Sequence, residues 1–166
     1  MVLGHDSLIS GAAVVLILGF WFQNIAEWRG GGPVLPRRWR RFVSDRQIAP
    51  TGPVRLWALL LVSLIVPVLM AVAVWLHWGG VITMIAAALA ASALFQMGAS
   101  IVTGQMIPGT ISGLAVMLPP AVWLLSLLGQ GRPAIWMTGW SLAGLAVTPL
   151  LLGAVWWLAA RLRSGS

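Results

Sequence analysis

Apolar residues run along this chain in stretches far longer than any amphipathic element of a water-soluble protein needs. Five such runs are separated by short breaks of Gly, Pro, Arg and Gln, covering about 7–28, 54–77, 80–104, 109–128 and 133–162. Hydrocarbon offers no partner to an unpaired amide, so runs of ~20 apolar residues must be helices. The pattern therefore predicts an all-α, polytopic transmembrane helical bundle of about five spans, forming one domain over 1–166. Thr110, just after Pro108 and Gly109, is placed to cap the fourth span, and Pro133 suits the first turn of the fifth. The first run opens on His5 and Asp6 with no positive segment and no cleavage site, so it reads as a retained span, not a signal peptide.

Composition agrees with a lipid solvent. The 166 residues are 60% hydrophobic and 8% charged, with a mean hydropathy of +0.95, which excludes an ordinary soluble domain. The absence of cysteine excludes disulfides, thiolate nucleophiles and thiolate metal sites. The net charge of +7 does not suggest nucleic-acid binding, because the cations flank apolar spans where they meet anionic lipid. All ten basic residues are arginine. With abundant Ala, Gly and Trp, this resembles the coding bias of a GC-rich bacterium and places the chain in a bacterial inner membrane.

Charge then orients the spans. Arg29, Arg37, Arg38, Arg40, Arg41, Arg46 and Arg55 crowd the first connection, 29–53 and its edge, opposed only by Asp45. By the positive-inside rule that loop is cytoplasmic, the amino terminus is outside, and the tail with Arg161 and Arg163 is inside. Only Arg132 then falls outside. Tryptophan, which prefers the interface, gives the same picture: Trp28, Trp57, Trp156 and Trp157 fall near inner span ends, Trp75, Trp78, Trp136 and Trp140 near outer ones. Arg37, Arg38, Arg40 and Arg41 are candidate contacts for anionic lipid, with a protein-docking site as the alternative.

Small residues supply close-packing faces: Gly109 with Gly113 at GxxxG spacing, the alanines Ala86, Ala87, Ala90 and Ala91, and Gly144 with Thr148. These read as packing within the bundle, with a homo-oligomer or membrane-complex face as the alternative. Pro67, Pro119, Pro120 and Pro149 lie inside spans and kink them.

Against this background a few polar residues require explanation. Gln23 and Glu27 lie four apart on one face of the first span, with Asn24 beside them. Ser92, Gln96, Ser100 and Thr103 form a matching stripe on the third. At 1.5 Å per residue, Gln23 and Gln96 sit roughly 8–12 Å inside the membrane from the cytoplasmic side, so they are placed to meet. The fourth helix starts on that side at Gly109, Thr110 and Ser112. Together Gln23, Asn24, Ser92, Gln96, Ser100, Thr110 and Ser112 outline a ligand pocket in the cytoplasmic half, with Glu27 as a candidate acid or base. Glu27 also fits a second reading, an interfacial ion pair with a loop arginine.

The segments FWFQNIAEW (20–28) and SALFQMGASIVTGQMIPGTISGL (92–114) resemble the HXXEE-domain family of small helical bacterial membrane proteins. That resemblance aligns Gln23 with the motif His, Ala26 with its first Glu, Glu27 with its second, Ser92 with a mid-span Asn and Gln96 with a second His. With both histidines replaced by glutamine, His-based proton transfer and a two-His metal site are unavailable, and no cofactor or metal is expected. His5 and His77 fall at the outer ends of spans, away from the inner pocket. The leading expectation is a protein that binds a small lipophilic or amphipathic ligand. The alternatives are a small membrane isomerase or hydrolase in which Glu27 acts while Gln96 and Ser92 orient substrate, and a structural or assembly subunit of a larger membrane complex.

Overall fold

A computed structural model of the chain describes residues 4–29, 52–104, 106 and 109–164. Among them every regular element is helical. Five helices are long and apolar enough to cross a membrane: α1 His5–Arg29, α2 Gly52–Trp75, α3 Gly79–Thr103, α4 Thr110–Gly129 and α5 Ala134–Ser164. The ends fall close to the breaks in the apolar pattern. The arginine cluster of the first loop lies outside the described residues.

Helix α4 packs between α1 and α3, while α5 packs on α3 and α2, and α2 also reaches α1. The core is built from Leu16, Met70, Ala86, Ala93, Met117, Ala121, Leu124 and Leu128. Large side chains such as Leu18, Phe22, Leu64, Phe95, Val102 and Leu150 point outward instead. In water such a surface would drive association; facing lipid, it needs no partner. In a lipid solvent, whose tails are as apolar as the side chains themselves, such helices cohere through close packing.

Glycine allows two of these close approaches. A Cβ on Gly144 would collide with the backbone of Met84, so this residue seats α5 on α3. A Cβ on Gly19 would stand 2.6 Å from the Val116 carbonyl oxygen, so Gly19 seats α1 on α4. Ala86, Ala87 and Ala90 are buried, consistent with packing inside the bundle.

The prolines act through the hydrogen bonds they cannot make. Pro119 and Pro120 follow a π-helical turn, Gly113–Met117, in which the Leu118 N–H reaches back five residues to the Gly113 carbonyl. Neither proline can donate to the carbonyl four residues earlier, and the wider turn takes up the misfit. In α2, Pro67 leaves the Ser63 carbonyl without its helical donor. The Trp21 indole N–H donates to that oxygen instead, at 2.8 Å.

The start of α4 differs from the expectation. Gly109, with φ of 91°, is the N-cap residue, and no side chain caps it. Thr110 is already helical and its hydroxyl is engaged elsewhere. Only glycine adopts that φ readily, so the backbone turn, not a capping hydroxyl, sets where α4 begins.

Candidate functional site

Three of the sequence candidates converge at the end of the bundle where α4 begins. Gln23 and Glu27, one turn apart on α1, meet Gln96 of α3. The Gln23 amide Nε2 donates to Glu27 Oε1 at 3.1 Å and to Gln96 Oε1 at 3.0 Å. The Gln96 amide Nε2 also donates to Glu27 Oε1. Two amides thus converge on one carboxylate oxygen, and each side chain touches the other two.

This pattern fixes the Gln23 amide. Rotating it by half a turn would face its oxygen toward two acceptors, so Nε2 must point at Glu27 and Gln96. The carbonyl oxygen is then left over. Gln23 is 3% exposed, and its Oε1 has no hydrogen-bond partner among the described residues. Leaving a buried acceptor unpaired costs about 1–3 kcal/mol, which packing alone gives no reason to incur.

Gly109 and Gly113 give the cluster room. A Cβ on Gly109 would fall 2.6 Å from Glu27 Cγ, and one on Gly113 would fall 3.3 Å from Gln23 Oε1. The GxxxG-spaced pair therefore accommodates polar side chains as well as a neighbouring helix. Gly113 also opens the π-helical turn, and such turns are frequent at functional sites.

A second small group lies directly below. The Ser100 and Thr110 hydroxyls are 2.9 Å apart, and Thr110 Oγ1 approaches the Gln96 carbonyl at 3.5 Å. Ser112 donates to the Gly109 carbonyl at 3.0 Å. These contacts tie the start of α4 to α3 beneath Gln96. Both Thr110 and Ser112 are buried.

Two candidates stand apart from the cluster. Asn24 is buried, but its Nδ2 donates to the Ser63 hydroxyl of α2 at 2.8 Å, so it faces a different helix. Ser92, half-buried one turn before Gln96, joins none of these hydrogen bonds. Ser63 and Trp21 carry a positioning role that the apolar pattern did not reveal. Its signal was local: Ser63 lies four residues before Pro67, so its carbonyl had to find a foreign donor. Trp21 and Asn24 hold α1 to α2 on one side, which turns Gln23 and Glu27 toward α3 on another.

No protein-family model matches this chain, and neither the curated proteins nor the solved structures contain a significant match.

Proposed function

We propose that this chain is a multi-pass protein of the bacterial inner membrane that binds a small lipophilic or amphipathic molecule at the Gln23, Glu27 and Gln96 centre. The observation that carries this reading is the unpaired Gln23 Oε1, held in place because its own amide nitrogen is committed to two acceptors. An acceptor so placed calls for a hydroxyl or amine donor, which an amphipathic ligand brings on an otherwise apolar body. Intramembrane polar residues are functional candidates because they are expensive to keep. Glu27, Gln96 and the glycine-lined start of α4 complete the polar wall.

In this reading the amino terminus lies outside and the cluster lies in the cytoplasmic half, as the arginine asymmetry supports. Arg37, Arg38, Arg40 and Arg41 contact anionic headgroups beside it. The resemblance to the HXXEE-domain family fits the position of the cluster, with glutamines supplying hydrogen bonds where that family has histidines. Binding is favoured over turnover because Ser92, which would orient a substrate at Glu27, stands outside the hydrogen-bonded group.

The test is photo-labelling of the purified protein with a long-chain alcohol bearing a diazirine. Labelling is expected on α1, α3 and the first turns of α4 around Gln23 and Gln96, and it should fall several-fold in Gln23→Leu. Labelling no denser there than on the outward faces around Phe95 and Leu150, and unchanged in the variant, would refute the proposal.

A further inference from the structure

The opposite end of the bundle holds a second polar constellation. Five polar side chains from three segments line a half-open cleft of about 120 Å3: His5, Asp6 and Ser10 of α1, His77 of the α2–α3 turn, and Arg132 of the α4–α5 turn, with His5, Asp6, His77 and Arg132 exposed at its rim. Apolar side chains of α1, α2, α3 and α4 complete the wall. The volume is below the ~300–1,000 Å3 of sites that enclose a drug-sized molecule, and it suits a small polar group.

Arg132 is positioned without being neutralised. Its guanidinium lies over the Trp136 ring, 4.1 Å from the centroid, and it packs so closely on Gly79 that a Cβ there would collide with it. Neither contact uses the N–H donors, and Arg132 makes no ion pair with Asp6 or any other described acid. An exposed guanidinium and an exposed carboxylate therefore line the same cleft without an ion-pair partner among the described residues.

His77 adds an independent sign. It is the described non-glycine residue with positive φ, at 54°. Its N–H donates to the Val74 carbonyl at 3.1 Å, and the Trp78 N–H to the Ala73 carbonyl at 2.8 Å. This is a Schellman turn with His77 at the left-handed position that glycine normally occupies. Holding an imidazole there costs conformational free energy that glycine would not incur, and such outliers point to function. The side chain it retains lines the cavity.

We propose that this cavity is a binding site for a zwitterionic phosphoethanolamine group. Arg132 receives the phosphoryl oxygens through its fork of donors, with His77 and His5 alongside, and Asp6 accepts the ammonium. A simple anion would meet Asp6, and a simple cation would meet Arg132; a group carrying both charges satisfies both. A metal ion fits less well, because no three His, Asp or Glu side chains converge on one point among the described residues. The same chemistry occurs on a lipid headgroup and on a soluble ester, and the two are separable by experiment.

The protein in mild detergent is titrated with dioleoyl phosphatidylethanolamine, phosphatidylcholine and phosphatidylglycerol, and separately with soluble phosphoethanolamine, and binding is followed by native mass spectrometry. The ethanolamine lipid is expected to bind about tenfold tighter than the other two, the size of one charged hydrogen bond. Arg132→Gln should weaken it by a similar factor. Asp6→Asn should erase its advantage over the choline lipid. His77→Gly should raise the melting temperature while weakening binding, a combination that a purely structural turn would not give. Tighter binding of soluble phosphoethanolamine than of the lipid identifies the soluble ester as the ligand of the same site. Equal affinity for all three lipids with no binding of the soluble ester, or ethanolamine-lipid binding untouched by Asp6→Asn and His77→Gly, would overturn the proposal.

Discussion

Replacing Trp21 with Phe removes the indole donor to the Ser63 carbonyl while keeping an aromatic ring at the α1–α2 contact. Because Pro67 cannot supply the helical bond, and the proposed hydrocarbon surroundings hold no water to replace it, that oxygen loses a 2.8 Å partner. Hydrogen bonds between membrane helices are worth about 0.6 kcal/mol on average and up to ~1.7 in measured cases. This one belongs at the upper end, about 1–1.5 kcal/mol, because its acceptor has no substitute within its own helix. The decisive comparison is a double-mutant cycle with Pro67→Ala. Alanine restores an N–H four residues after Ser63, so Trp21→Phe in that background should cost only the packing lost with the smaller ring. SDS-induced unfolding in mixed micelles, followed by far-ultraviolet circular dichroism, gives all four stabilities. A coupling of about 1 kcal/mol is expected. If Trp21→Phe costs the same in both backgrounds, the tryptophan is not compensating for the proline and the account of α2 is wrong.

Gly144→Val should destabilise the bundle by about 1–3 kcal/mol, since its side chain meets the Met84 backbone. Gly139→Ala, with open space at the same helix, should be within ~0.5 kcal/mol of the parent by the same unfolding assay. Gly109→Ala places a methyl against Glu27 in a backbone conformation that alanine resists, so about 1–2 kcal/mol should be lost and diazirine labelling near Gln96 should drop; unchanged labelling would separate Gly109 from the site. The chain has no cysteine, so single replacements report topology cleanly. Ser44→Cys should react with an impermeant maleimide only after the cytoplasmic face is opened, and Gly131→Cys in intact cells; the reverse pattern would invert the proposed orientation.

The helices were legible because hydrocarbon demands a fixed length of paired backbone, and the apolar runs supply it. The Gln23, Glu27 and Gln96 cluster was legible from a four-residue spacing on α1 and matching depths on α1 and α3. Asn24 was not, because a single step along a helix turns a side chain by about 100°, and nothing in the pattern said that α2 lay in that direction. Thr110 is of a type that suits a cap, yet the left-handed Gly109 already makes the turn. The π-helical turn follows from two adjacent prolines, but which way the excess residue is absorbed depends on the packing of α1 against Val116. The adjacent His5 and Asp6, His77 and Arg132 come from three distant stretches with no shared periodicity, so the sequence put His5, His77 and Arg132 at one end of the bundle but only the fold brings them to one cleft.

The Trp21 bond also bears on the order in which the protein is made. Helix α1 precedes α2 during synthesis, so under the proposed membrane insertion the indole donor is already in place when the Ser63 carbonyl arrives with its own helix unable to satisfy it. An incoming α2 with an unmet acceptor has a reason to dock against α1 before α3 exists, and Asn24 offers a second handle at the same residue. Under that order of insertion, the proline that weakens one helix would give the nascent chain a directional cue for its first pairing.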